Sequence, residues 1–210
     1  VSGAKRSGPS RAPERLPGRI VPLFPLPNVW LFPAVILPLQ IFEERYRQMV
    51  EDCLDGPGRI VLGTIVAGHE HESAGAPPIY PLAGLGEIGR HERTEDGRFQ
   101  ILLVGLQRVF VKEVPSDRLY RKVEIFPAHE VPIAAPAEPE LRTQLLAALN
   151  ARTKDLPEIP PEFSTGHLVD MLVLRMPLEA ASLNALYSEL DTERRALIAL
   201  AEHAKRPLEK

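Results

Sequence analysis

The chain has 210 residues, of which 44% are apolar and 25% charged, with a formal net charge of −3. Such a length supports one large domain or two small ones, with a core that buries roughly 70% of the unfolded chain's surface. The near-neutral balance argues against a dedicated nucleic-acid binder, which carries a strong basic excess.

Residues 1–19 hold Lys5, Arg6, Arg11, Arg15 and Arg19 against Glu14, spaced by Ser, Gly and Pro. They show no helical or strand period, so a flexible basic leader is expected, and no apolar stretch follows the charges as in a secretory signal. Ile20–Phe24, Val29–Phe32 and Val35–Leu39 are short apolar runs bounded by prolines and Asn28, which predicts buried strands. The longest apolar run, 29–39, contains two prolines and falls short of the about 20 residues that a membrane span needs. A cytoplasmic location is the expectation.

Phe42, Tyr46, Met49, Val50 and Cys53 then follow a helical period, stopped by Asp55-Gly56-Pro57-Gly58. Cys53 lies on the buried stripe as a small hydrophobe, and one cysteine can form neither an internal disulfide nor a thiolate metal cluster. Strand patterns return at 59–66, 85–93, 98–104, 107–114 and 120–126, with Thr94-Glu-Asp-Gly97 as a hairpin turn. About eight short strands and one inserted helix predict a closed or nearly closed barrel. Residues 131–139 form a proline-rich connector. Beyond it the stripes are helical: Leu141, Leu145, Ala148 and Leu149; Leu168, Met171, Leu172 and Arg175 behind a Ser164 or Thr165 cap; Leu183, Leu186, Tyr187 and Leu190 behind Pro177; and Leu197, Leu200, Ala201 and Ala204 behind an Asp191 cap.

No motif carries catalytic chemistry. Gly84-Leu-Gly86-Glu-Ile-Gly89 has dinucleotide-loop spacing, but a hairpin follows it instead of the helix whose N-terminus would receive a pyrophosphate, so the glycines are expected to relax a strand bend. His69-Glu-His71-Glu72 lacks a third metal ligand and reads as a solvated loop. His71-Glu-Ser73-Ala-Gly75 misses the first glycine of a nucleophile elbow, leaving a hydrolase around His69–Ser73 as the least supported expectation. No catalytic residue, cofactor or metal is expected.

The stretch Phe24-Pro-Leu-Pro-Asn-Val-Trp-Leu-Phe-Pro-Ala-Val-Ile-Leu-Pro-Leu-Gln-Ile-Phe-Glu-Glu-Arg-Tyr-Arg47 resembles the N-terminal, substrate-binding domain of the Lon ATP-dependent protease family. Gly105-Leu-Gln-Arg-Val109, Met176-Pro-Leu178 and Leu190-Asp-Thr-Glu-Arg194 resemble its further signatures, so the likeness spans about residues 20–205. Ala34, Gln40 and Glu44 stand where glycine, histidine and proline are common. The resemblance implies an α+β fold: a PUA-like β-barrel with one inserted helix over 20–130, then a C-terminal helical bundle over 140–207. Family members continue into an ATPase module and a Ser–Lys protease domain; no stretch here resembles either, and the one cysteine excludes the paired CxxC zinc module of some relatives. The expectation is a stand-alone, non-enzymatic recognition domain for unfolded or apolar polypeptide segments, of roughly micromolar affinity because the ligand loses entropy on ordering. Such a ligand could add as a strand to a sheet edge or lie in a groove. The candidate contacts are Pro77, Pro78, Ile79 and Tyr80, apolar yet set in a loop, with Trp30 as an alternative anchor. A separate protease is a further expected partner. The alternative is an RNA-binding PUA-like module, since such barrels recur in RNA proteins.

Overall fold

The computed structural model describes residues 19–72, 75–153, 159–160 and 163–207. The expected leader, apart from Arg19, and Ser73 lie outside them. Six strands are present: β1 (Arg19–Pro27), β2 (Ile36–Ile41), β3 (Arg59–Ile65), β4 (Leu82–Arg93), β5 (Phe99–Val114) and β6 (Arg121–Pro127). Helix α1 (Glu44–Leu54) lies between β2 and β3, and α2 (Glu138–Arg152), α3 (Thr165–Leu174), α4 (Ala180–Ser188) and α5 (Thr192–Lys205) follow the sheet.

Strand order is β2-β5-β4-β3-β1-β6, and β5 also pairs with β6, so the pairings run in a circuit through β1, β3, β4, β5 and β6. Among the strand pairs of the described residues, β1–β3 alone is parallel. Strand alternation separates two cores. Val21, Leu23, Val61, Ala83, Leu85, Val109 and Val123 form one cluster. Phe24, Ile60, Leu62, Phe99, Ile101 and Leu103 face the other way and meet Tyr46, Met49, Val50 and Cys53 of α1. A third cluster joins α2–α5 to Trp30, Phe32 and Leu82.

The structure corrects several expectations. The two strands expected over 98–104 and 107–114 are one, since β5 runs through Gly105 and takes β2 along its first part and β6 along its last. Phe42, expected on the buried stripe, precedes α1 and is 62% exposed. Helix α4 begins at Ala180 rather than at Pro177. Ser164 and Asp191 cap as expected, their side chains accepting from the His167 and Arg194 amides. The stripe of α2 buries Leu141, Leu145, Ala148 and Leu149, as expected. Helix α5 is turned differently: it buries Thr192, Arg195, Ala196 and Ala199, while Leu197 is 53% exposed.

Val29–Phe32 is not a strand, though Trp30, Leu31 and Phe32 are buried. This segment crosses the sheet between two left-handed residues, Asn28 (φ 55°) and Ala34 (φ 61°). It is tied down from several sides. Thr64 donates to the Val29 carbonyl, Tyr187 to the Leu31 carbonyl at 3.1 Å, and the Ala34 amide to the Gly105 carbonyl at 2.8 Å. Gly84 and Gly105 make room for it: a Cβ on either would fall within 2.4 Å of a backbone oxygen of the crossing segment. The glycine run that mimicked a dinucleotide loop therefore permits close backbone approach, with bulges at Leu85/Gly86 and Ile88/Arg90. Ala34 holds a conformation that disfavours a Cβ, so Ala34→Gly is expected to raise stability by about 0.5–1 kcal/mol in urea denaturation, the relieved strain exceeding the entropic cost of glycine. A loss of stability would show that the left-handed turn is not strained.

Sheet and helices also share a buried ion cluster. The Arg108 guanidinium on β5 pairs with both oxygens of Asp170 on α3 (2.7 and 3.1 Å) and with Glu130 at 2.7 Å, while its Nε donates to the Tyr187 carbonyl at 3.0 Å. Arg195 on α5 donates to the other Glu130 oxygen at 2.8 Å and to the Glu189 carbonyl at 2.6 Å. Burial opposes the charge on Arg108, yet Asp170 and Glu130 outweigh it and hold its pKa above the usual arginine value.

Candidate functional site

The residues proposed from sequence fall in two places. Trp30 is 7% exposed; its indole donates to Asn184 Oδ1 at 3.2 Å and its ring belongs to the helical core. Pro77–Tyr80 lies against the end of β3. The Pro78 carbonyl accepts from Val66, Ile79 bridges Ile65, and the Tyr80 amide donates to the Thr64 carbonyl. Pro77 is buried, Ile79 and Tyr80 half-buried, and Pro78 exposed. The loop of His69–Glu72 lies just before it, with His69 paired to Glu72 at 2.9 Å.

Gly75 and Ala76, just before this tract, line a groove of about 700 Å³ between α1 and the sheet. Leu23 and Pro25 of β1, Tyr46 of α1, and Leu119 and Tyr120 supply its apolar lining, with Gly75 and Ala76 on the rim. Local forces fix each of them. Tyr46 stands edge-on to Phe24 at 4.5 Å under the Arg45 guanidinium, and burial pushes its phenol pKa up. Tyr120 donates to Asp52 at 2.8 Å, and burial and that bond push its pKa up as well. Leu119 is 58% exposed, and its amide donates to Gln48 Oε1 at 2.9 Å.

Two arginines reach across the groove mouth. Arg45 is held by Glu43 and donates to the Gly75 carbonyl at 3.3 Å. Arg121 grips Glu113 with two bonds of 2.7 and 2.6 Å and donates to the Pro77 carbonyl at 2.8 Å. That grip draws the Glu113 pKa down. Sequence reasoning missed Arg45, Tyr46, Leu119 and Arg121 as a set. Leu119, an apolar residue after Asp117-Arg118 and just ahead of a strand, was the one signal available.

The other described features offer less. The outer edge of β2 has no strand partner among the described residues. The Gly105 amide donates to the Val35 carbonyl, which turns the backbone groups of residues 36, 38 and 40 outward, so that Pro38 leaves a gap in the row of donors. Ser164 Oγ sits 2.8 Å from His167 Nδ1, but this serine caps α3 and Asp170 is committed to Arg108. The Cys53 thiol is pushed up to about 12 by burial, which removes it as a nucleophile. Among the described residues no helix is long and apolar enough to cross a membrane.

Comparison with known proteins places this arrangement. The chain is 24% identical to the Lon protease of Brevibacillus choshinensis over 195 residues, 89% of this chain and 25% of that protein. It is 26% identical to the Lon protease of Flavobacterium johnsoniae over 197 residues, 88% of this chain and 24% of that one. It thus spans about a quarter of the length of these relatives. Among solved structures, the N-terminal domain of the Mycobacterium avium complex Lon protease superposes with a TM-score of 0.66 at 14% identity, covering 90% of this chain and all of that one. The Lon N-terminal domain protein of Xanthomonas campestris gives 0.62 at 23% identity, covering 87% and 98%. Residues 20–209 match the ATP-dependent protease La (LON) substrate-binding domain, and the chain belongs to that family.

Proposed function

We propose that the chain is a non-enzymatic recognition domain that holds unfolded or apolar polypeptide segments in the groove beside α1. The observation that carries this reading is a groove of about 700 Å³ with an apolar floor, formed by the buried Leu23, Pro25, Tyr46 and Tyr120, and with the exposed side chain of Leu119 at its side. A lining of that kind gains from contact with scattered apolar side chains and demands no particular sequence. The gap at Pro38 weighs against strand addition to β2 and in favour of the groove. The surface has Gly75 and Ala76 as its rim, touches the expected tract only through the Arg121 bond to the Pro77 carbonyl, and leaves out Pro78, Ile79, Tyr80 and Trp30.

This reading takes the circuit of strand pairings as a PUA-like barrel over 20–130, with 131–139 as connector and 140–207 as helical bundle. It implies unfolded polypeptides as partners and a separate protease as a further partner, and it places the chain in the cytoplasm. The RNA-binding alternative fits less well, because Arg45 and Arg121 are each neutralised by a carboxylate at the groove.

Fluorescence anisotropy with a labelled, extended peptide rich in Leu and Phe tests the reading. Leu119→Asp is expected to weaken binding about tenfold, equivalent to about 1.4 kcal/mol, while Leu197→Asp on α5 leaves it unchanged. No binding by the unmodified chain at high micromolar peptide, or equal binding by the Leu119→Asp variant, overturns it.

A further inference from the structure

We propose that Gly75–Pro77 is an internal strap that takes the hydrogen bonds an extended ligand's backbone makes with Arg45 and Arg121, so that ligand entry displaces it. This deepens the groove reading and rests on it. The accepting carbonyls belong to residues 75 and 77, two apart. In an extended chain, carbonyls two residues apart face the same side, whatever the side chains. Two guanidinium groups at that spacing therefore read a property common to all extended polypeptides, which accounts for recognition without a sequence rule.

The donors are positioned independently of the strap. Glu43 fixes Arg45 and Glu113 fixes Arg121, so both guanidiniums keep their places when the strap leaves, and a ligand meets a prearranged pair. The strap itself is anchored at its ends, by the Gly75 amide on the Glu72 carbonyl at 2.7 Å and by the buried Pro77, and has few ties between them. Pro77 and Pro78 have no amide hydrogen, so this stretch offers carbonyls but few donors, and Ala76 presents only a methyl group. Firm attachment resumes at Pro78, whose carbonyl is held by Val66 at 2.9 Å, and at Tyr80. A hinge at Pro78 would let the strap swing away, at the cost of lifting Pro77 out of its buried position and giving up the Gly75–Glu72 bond, while leaving Ile79 and Tyr80 packed.

A closed strap lowers apparent affinity by the fraction of molecules that are open. Loosening it with Ala76→Gly and Pro77→Gly together is expected to tighten binding of the same labelled peptide about fivefold. A second readout does not depend on affinity. Ala76→Cys, labelled in the full chain with a polarity-sensitive dye, is expected to shift its emission to the red at saturating peptide; the Cys53 thiol, pushed up to about 12 by burial, stays unlabelled. Unchanged or weaker binding by the glycine variant, or unchanged dye emission, overturns the strap. If Leu119→Asp still weakens binding in that case, the groove reading stands and the strap alone has failed. If Leu119→Asp binds normally, both fail together.

Discussion

Gly105→Ala is expected to destabilise the protein by about 3–5 kcal/mol, at the severe end for a single methyl group. A Cβ at Gly105 would sit 2.0 Å from the Phe32 carbonyl oxygen and 3.0 Å from its carbon. The oxygen cannot retreat. The crossing segment is held on both sides of it, by Tyr187 on the Leu31 carbonyl and by the Ala34 amide on the Gly105 carbonyl. Relief therefore requires breaking backbone hydrogen bonds or lifting Phe32 out of a core in which its ring stands edge-on to Tyr187 at 5.0 Å. Gly84→Ala meets the Leu31 carbonyl at 2.4 Å and should cost nearly as much, whereas at Gly86 the nearest atoms are side-chain carbons of Leu31 and Leu103 at 2.8 Å, which can rotate away. Urea denaturation should rank the variants 105, 84, 86 in falling order of damage. A cost at Gly105 below about 1 kcal/mol would mean that the crossing segment is not pinned.

The same glycines show where sequence reasoning stops. Local periodicity identified α1 and α2, the hairpin at Thr94–Gly97 and the caps at Ser164 and Asp191, because each rests on residues a few positions apart. Val29–Phe32 looks like a strand from its own composition; what makes it a crossing segment is Gly84 and Gly105, more than fifty residues away in the chain. The face of α5 misled for a similar reason. Leu197 reads as core, yet it points outward, and the position turned inward is Arg195, buried against Glu130 and Asp170. Beside the groove's rim of Gly75 and Ala76, the Pro77–Tyr80 tract was visible as an apolar stretch in a loop. Arg45 and Arg121 were not, since their pairing with that rim exists only once α1 and β6 converge on it.

Asp170→Ala is expected to cost about 3–5 kcal/mol, because it strands charge in the interior. Arg108 and Arg195 have fully buried side chains and Asp170 is 4% exposed, so two cations would be left to share the single carboxylate of Glu130. The damage should follow from the imbalance of charge more than from lost packing. Removing the partner too, with Arg108→Met and Asp170→Leu together, leaves Arg195 paired with Glu130 and should cost less than Asp170→Ala alone. The cluster links β5, Glu130, α3 and α5, but the core around Trp30, Phe32 and Leu82 also joins sheet to helices, so the Asp170→Ala protein is still expected to lose both in one cooperative transition at a lower denaturant midpoint. Circular dichroism and Trp30 fluorescence, whose ring lies in the core shared by both parts, should trace coincident curves. A double variant as damaged as the sum of its single changes would show that packing, not charge balance, makes the cluster matter. Separate transitions would show that sheet and bundle unfold independently once the cluster is broken, so that the cluster and not the shared core couples them.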